Sequence, residues 1–314
     1  MVQIIKKSVL SSDNVHMLNG YVYIPEGEVK GLFQLVHGMC EYTERYHEFM
    51  LEIANQGYIV FGYDHLGHGK TATDDSELGY IADKDGWKLL VDDVAVFGKA
   101  VKNEYGSDLP YILMGHSMGS FIVRLSAEKY NMHDKLIIMG TGGPNPAATP
   151  GLAAIAVIKK VKGGRYISNF LQNLAFGTYN KRFEGDGTYG WLSNYEDVRN
   201  SFAADKFCNF RFTVSAMGDL VTLNKESNTS RWFKSCVTQK PILLVSGADD
   251  PVGDYGKGPK AVHDKLKANG ADIKFVLYRG CRHEILNDKC RNNVIAEILN
   301  FIKYANCNSK LKQI

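Results

Sequence analysis

Tyr111-Ile112-Leu113-Met114-Gly115-His116-Ser117-Met118-Gly119 (YILMGHSMG, residues 111–119) decides the reading of this chain. Its first half is an unbroken apolar run, the pattern of a strand buried on both faces. Its second half, from Gly115 to Gly119, is a G-x-S-x-G. The residues that follow carry apolar side chains at helical spacing, with Ile122 and Leu125 inward and Lys129 outward. A strand, a sharp turn and a helix in that order hold a serine in strained backbone geometry, with its hydroxyl thrust out above the sheet. Gly115 and Gly119 leave room for the turn, because side chains there would meet neighbouring backbone. The N–H of Met118 then lies at the positive end of the helix. Ser117 is therefore the candidate nucleophile.

Working outward, the same rhythm repeats. Lys6–Ser11 and Met17–Ile24 read as a hairpin joined by Ser12-Asp13-Asn14. Buried strands follow at Gly31–Val36, Tyr58–Tyr63, Lys135–Gly140, Pro241–Ser246 and Ile273–Tyr278. Helical patterns separate them at Tyr46–Gln56, from Trp87 to Val101, at Pro259–Asn269 and at Arg291–Ala305. This alternation predicts an α/β fold, a mostly parallel sheet with helices on both faces. Ligands in such sheets lie beyond the carboxyl ends of the strands, where His37, Asp64 and Ser117 fall. At Gly142 the rhythm breaks. The next stretch holds short helical patterns (Ala153–Lys160, Ser168–Phe176, Asp197–Phe202, Asp219–Asn224) and many aromatics, without the alternation. The expected organisation is a core of residues 1–143 and 239–314 with a helical cap inserted at 144–238. The tail from Asn306 is polar and expected to fray.

A serine hydroxyl attacks a carbonyl only when a base takes its proton and a carboxylate orients that base. Both partners stand just past later strands. His283 follows the strand ending at Tyr278 and precedes a helix, so it can reach over Ser117. Gly247-Ala248-Asp249-Asp250-Pro251-Val252 follows the strand ending at Ser246. Asp250 is the chosen orienter and Asp249 its competitor, since either residue also suits a turn. Charge developing on the carbonyl oxygen needs preorganised N–H donors. Met118 supplies one, and Met39 in the loop His37-Gly38-Met39-Cys40 supplies the other. His37 and Gly38 are the expected substrate-binding residues of that loop.

The rest of the sequence narrows the alternatives. Net charge over 314 residues is +3, with acids and bases interspersed, which offers no nucleic-acid surface. No apolar run suits a signal peptide or a membrane span, and Gly151–Ile158, the longest, is far too short; a cytoplasmic location is expected. Cys40, Cys208, Cys236, Cys281, Cys290 and Cys307 form no C-x-x-C pair, so free thiols are expected and a zinc cage is not. Cys40 and Cys281 would then sit beside the oxyanion loop and His283, open to bulky thiol reagents. Gly67-His68-Gly69-Lys70-Thr71 imitates the end of a phosphate loop, but Asp64 stands where that loop needs glycine. Asp64, His65 and His68 have metal-ligand spacing, yet His rings in such turns commonly just hydrogen-bond, and no metal is expected. In the cap, Lys159, Lys160, Lys162 and Arg165 lie among Ile155, Val157, Ile158, Ile167, Phe170, Leu171 and Leu174. These form either a lip that touches lipid aggregates or a face packed on the core beneath solvated lysines, and the packed arrangement is the expectation.

Together HGMCEYTERY (37–46), DHLGHG (64–69), GHSMGS (115–120), WLS (191–193), SGADDPVG (246–253) and RHEILND (282–288) resemble the α/β-hydrolase superfamily. The resemblance is to its branch of monoacylglycerol lipases, bacterial lysophospholipases and serine aminopeptidase S33-type hydrolases. It implies an α/β-hydrolase fold, no cofactor, the carboxylate at Asp250, and oxyanion donors at Met39 and Met118. It also implies hydrolysis of a carboxylic ester, in a monoacylglycerol or lysophospholipid, through an acyl-serine. Activity should rise with pH as His283 loses its proton. An acyltransferase or an aminopeptidase would use the same triad. A non-catalytic ligand receptor would be marked by a missing triad member, and none is missing.

Overall fold

The computed structural model describes residues 1–235, 240–304 and 312–313. The chain opens with an antiparallel hairpin, β1 (Gln3–Leu10) and β2 (Met17–Ile24). Then β3 (Gly31–Val36), α1 (His47–Ala54), β4 (Tyr58–Tyr63), α2 (Gly86–Tyr105), β5 (Tyr111–His116), α3 (Met118–Tyr130) and β6 (Lys135–Met139) alternate. Helices α4 (Ala148–Lys162), α5 (Asn169–Phe176), α6 (Glu196–Ala204), α7 (Val214–Ser227) and α8 (Ser230–Ser235) interrupt the alternation. It resumes with β7 (Ile242–Gly247), α9 (Lys257–Ala268), β8 (Ile273–Tyr278), α10 (Arg291–Lys303) and the short β9 (Lys312–Gln313).

The sheet order is β1-β2-β4-β3-β5-β6-β7-β8-β9. β2 pairs antiparallel with β1 and β4, and the other pairings are parallel. β3, β4, β5 and β7 are buried along their whole length between two helical layers, as their mostly apolar runs require, and the buried Gln34 of β3 accepts from Tyr111 O–H and donates to Val94 O. Side-chain alternation splits the core in two. Leu32 and Val36 of β3 join Leu90 and Val94 of α2 and Ile122 of α3. Phe33 and Leu35 face the other way, with Met50 and Ile53 of α1 and Val294 and Ile298 of α10.

Within the 144–238 stretch the helices differ in how they are held. α7 and α8 lie on the core helices: Trp232 is fully buried and its Nε1–H donates to Arg124 O at 2.9 Å, while Asp219 accepts from Trp87 N–H at 2.9 Å. α4 and α5 bury only a thin stripe. Ile155 and Leu171 pack inward fully and Ile158 in part, but Val157, Phe170 and Leu174 are 64%, 63% and 63% exposed. The expectation that this apolar set packs on the core is thus corrected, because α4 rests on α7 along one stripe only.

A second correction concerns the thiols. Cys281 and Cys290 are joined in a disulfide, with Cα atoms 6.4 Å apart. The turn between β8 and α10 brings them together, within the separation a disulfide spans, at a spacing no short motif flags. Cys40 and Cys208 are free and buried. Cys236, Cys307, most of the tail from Asn306 and the 238/239 boundary lie outside the described residues. Among the described residues no helix is long and apolar enough to cross a membrane.

Candidate active site

β5 ends at His116 and α3 begins at Met118, which leaves Ser117 alone in the turn. Its φ of 53° and ψ of −121° are sparsely populated for a residue with a side chain, a strain of about 1–3 kcal/mol. The Ser117 N–H donates to Met139 O at 2.9 Å, which ties the turn to β6. A Cβ on Gly119 would stand 2.2 Å from Val36 O, and one on Gly115 would stand 2.2 Å from Gly119 O. Close approach of backbone therefore requires both glycines.

Asp250, fully buried beyond β7, accepts from His283 Nδ1–H at 2.9 Å and from Val252 N–H at 2.8 Å. Asp249 is partly exposed, and its N–H donates to Cys281 O at 2.9 Å. Of the two competitors, Asp250 is the one that meets His283. The buried His283 ring lies between those of Trp191 and His116, at centroid distances of 5.2 and 4.8 Å. Ser117, His283, Met39 and Met118 line one cavity of about 1200 Å³. Met118 opens α3, so its N–H belongs to the first turn, whose amides have no partner within the helix.

Gly38 lies against the turn, where a Cβ would stand 2.9 Å from Ser117 Cβ. His37 is placed differently. Its side chain is buried, its Nε2 accepts from His65 N–H at 3.0 Å, and its ring packs against those of His65 and His68 at 4.1 and 5.3 Å. Burial pushes all three imidazoles down, His68 to about 3. Neither His37 nor Gly38 lines the cavity. The structure sets them as supports of the 37–40 loop rather than in the cavity wall. Asp64 caps the turn beside them, accepting from Thr43 N–H at 2.8 Å and Lys70 N–H at 2.7 Å.

Sequence reasoning missed a buried polar network behind the site. Glu41 Oε1 accepts from Tyr46 O–H at 2.9 Å and from Gly38 N–H, and lies 3.3 Å from His116 Nδ1. Its Oε2 meets Arg45 at 3.1 Å, and Arg45 forks onto both oxygens of Glu284 at 2.8 Å. His116 donates from Nε2 to His283 O at 3.3 Å and from Nδ1 to Tyr46 Oη at 2.7 Å. Burial alone would raise the Glu41 carboxyl, but His116 and Arg45 hold it far below the usual carboxylate range. Burial would likewise raise Glu284, and Arg45 outweighs it. Burial would lower His116, and Glu41 raises it instead. With donors on both nitrogens the ring has the hydrogen-bond pattern of an imidazolium. The network joins the 37–40 loop, the serine turn and the His283 loop. One signal was present in HGMCEYTERY, where Glu41 and Arg45 stand four residues apart.

The cavity wall is largely apolar, with Phe121, Leu192, Phe202, Phe210, Leu220 and Val252. Its carboxylates lie beside cations, and the Arg211 guanidinium has a neutral partner. Glu41 and Glu284 share Arg45, Asp254 lies 3.4 Å from Lys257, and Arg211 donates to Asn169 Oδ1 at 2.6 Å.

Comparison with known proteins follows this geometry. The profile of the family described as serine aminopeptidase, S33, matches residues 27–290. The monoacylglycerol lipase of Mycolicibacterium smegmatis is 23% identical over 282 residues, covering 90% of this chain and 91% of that protein. The probable lysophospholipase L2 of Haemophilus influenzae is 28% identical over 307 residues, covering 92% and 89%. A highly thermostable carboxyl esterase from Bacillus coagulans, solved in complex with glycerol, superposes with a TM-score of 0.90 at 31% identity, covering 96% of this chain and 99% of that one.

Proposed function

We propose that this chain, which belongs to the serine aminopeptidase S33 family of α/β-hydrolases, hydrolyses neutral carboxylic esters of lipids, monoacylglycerols foremost, through an acyl-serine. The observation that carries the reading is the cavity. Ser117 and the Asp250–His283 pair meet a largely apolar chamber in which the carboxylates of the wall already have cationic partners. An aminopeptidase would need an unpaired carboxylate for the substrate's α-amino group. A neutral ester does not.

In this reading Ser117 Oγ attacks the ester carbonyl while His283 Nε2 takes its proton, and Asp250 holds the imidazole by Nδ1–H and stabilises the imidazolium. The oxyanion is met by the N–H groups of Met39 and Met118. Collapse breaks the bond to the alcohol oxygen, which leaves with the proton from His283. Water then attacks the acyl-serine, again with His283 as base, and releases the carboxylic acid.

The same proposal takes 144–238 as a cap insertion over this chamber. Its exposed Val157, Val161, Phe170 and Leu174, with Lys160 and Lys162 nearby, would give transient contact with lipid aggregates. Cytoplasmic residence is part of the proposal, and the Cys281–Cys290 pair is the observation that weighs against it.

The test is a panel of short and long p-nitrophenyl esters, a monoacylglycerol, lysophosphatidylcholine and an aminoacyl anilide, with wild type and Ser117→Ala side by side. Monoacylglycerol turnover that exceeds lysophosphatidylcholine turnover and vanishes in the variant is expected. Anilide cleavage without ester turnover would replace the reading with a peptidase. Acyl transfer to an added alcohol in preference to water would replace it with an acyltransferase.

A further inference from the structure

We propose that Arg282 is a positioning residue that ties the placement of His283 to the cap segment 186–194. The inference rests on the reading of His283 as the base. The His283 N–H donates to Trp191 O at 3.3 Å, and the Glu284 N–H donates to Leu192 O at 2.8 Å. Trp191 also lays its ring on His283, and Tyr179 packs on Trp191 at 5.3 Å. The backbone next to the base is therefore held from the cap as well as from the core.

The segment that does this lies in turn and bend geometry between the short helical turn at Glu184–Asp186 and α6. Arg282 grips it. One guanidinium nitrogen donates to Gly190 O and to Ser193 O at 3.1 Å, and the other donates to Asp186 Oδ2 at 2.6 Å. The guanidinium also stacks over Phe183 at 4.2 Å. Arg199 of α6 closes the clamp from the far side, donating to Ser193 O at 3.0 Å and Asn194 O at 2.8 Å and reaching Asp186 Oδ1 at 3.7 Å.

The two carbonyls that Arg282 takes, Gly190 and Ser193, flank the two carbonyls that receive the His283 and Glu284 amides. One nitrogen of the planar guanidinium holds both flanks while the other holds Asp186, so the flanks and the Asp186 turn are fixed to one another by a rigid group. Without it the flanking carbonyls lose a donor, the segment shifts, and His283 loses two main-chain bonds and the Trp191 ring together. Displacement of a base by about 1 Å costs on the order of 100-fold in rate. Arg282 does not line the cavity, so substrate affinity does not depend on it.

The test uses the full chain with Arg282→Gln, Asp186→Asn and the double variant. The readouts are kcat and KM on a p-nitrophenyl ester, the rate of Ser117 labelling by a fluorophosphonate, and thermal unfolding. For Arg282→Gln we expect kcat to fall about 10- to 100-fold, KM to stay within about twofold, and labelling to slow in parallel. The double variant should lose little more than Arg282→Gln alone, because both changes open one clamp. A kcat in Arg282→Gln within about twofold of wild type, or a raised KM at unchanged kcat, overturns the proposal; so does a fully additive loss. Should Arg282→Gln fail to fold, Asp186→Asn on its exposed turn carries the test, and an unchanged kcat overturns it. A wild type that turns over no ester but labels at Ser117 sinks the substrate reading, and the labelling rates then decide the clamp alone.

Discussion

Arg45→Met removes the cation shared by two buried carboxylates. The side chains of Arg45, Glu41 and Glu284 are 13%, 5% and 5% exposed, so water does not replace what is lost. Glu41 keeps Tyr46, Gly38 and His116, but Glu284 keeps only the 3.1 Å bond from Asn287 Nδ2 among its side-chain partners in the described network. Breaking a buried pair from one side costs about 3–5 kcal/mol, because the remaining charge stays buried. At about 2.1 cal/mol/K of unfolding entropy per residue, 314 residues give about 0.66 kcal/mol/K, so Tm should fall by about 5–8 °C at neutral pH.

The pH dependence gives a sharper check. In the wild type both carboxyls are held below their unfolded value of 4.5, so their contribution is fully present above that pH and is lost as pH falls through the folded values. In the variant, burial acts on Glu284 without Arg45, and its folded value moves above the unfolded one. The penalty then grows as pH rises and fades as pH falls. The Tm gap between the proteins should therefore be widest near neutral pH and narrow toward about pH 4.5. Near-UV circular dichroism of thermal unfolding across that range is the assay. A gap that stays constant with pH, or a fall below about 1 °C at neutral pH, refutes the argument.

Asp250→Asn should lower kcat by about 10⁴-fold, because His283 loses the acceptor that fixes its tautomer, while Asp249→Asn should change it by no more than about a few-fold; the reverse order in steady-state kinetics moves the orienter to Asp249. Bulky maleimides should leave activity intact, since burial pushes the Cys40 thiol up, its Sγ–H donates to Phe210 O, and Cys281 is bonded to Cys290. Peptide mapping without reductant should recover those two cysteines as one linked species, and rapid inactivation traced to Cys40 would contradict the burial argument. Changing Val157, Val161 and Phe170 together to Ser should weaken co-sedimentation with lipid vesicles and leave turnover of a short soluble ester unchanged; unaltered sedimentation would end the lip reading.

The fold was legible where local chemistry decides it. β3, β4 and β8 begin and end at their expected residues, because each is a short, mostly apolar run bounded by turn residues. Helix ends were less visible. α7 was expected only over Asp219–Asn224 but spans Val214–Ser227, its start set by Thr213, whose side chain accepts from Ala216 N–H. α4 begins before Pro150, a residue tolerated in a first turn. The candidate triad was legible because each proposed member follows a strand end. Arg45 and Glu284 were not, being 239 residues apart, with a pairing set only by how β3 and β8 lie in the sheet. Exposure of the α4–α5 apolar face was equally hidden, since periodicity marks a face but not what covers it.

His283 is fixed from three directions, and the cap divides accordingly. Asp250 holds its ring from the core. The Glu41–Arg45–Glu284 group reaches its carbonyl through His116 from beneath. Trp191 and the carbonyls around it hold its amide and ring from the cap side. If 144–238 acts as the proposed cap, its opening as one body would carry the 186–194 segment away from His283. The proposed entry and catalysis are compatible when that segment stays with the core while the apolar outer helices α4 and α5 meet the lipid. Under that division, changes on α4–α5 alter access and leave chemistry alone. Changes at Asp186 or Arg282 alter chemistry and leave access alone, and measuring kcat and KM on a soluble ester beside vesicle binding separates the two.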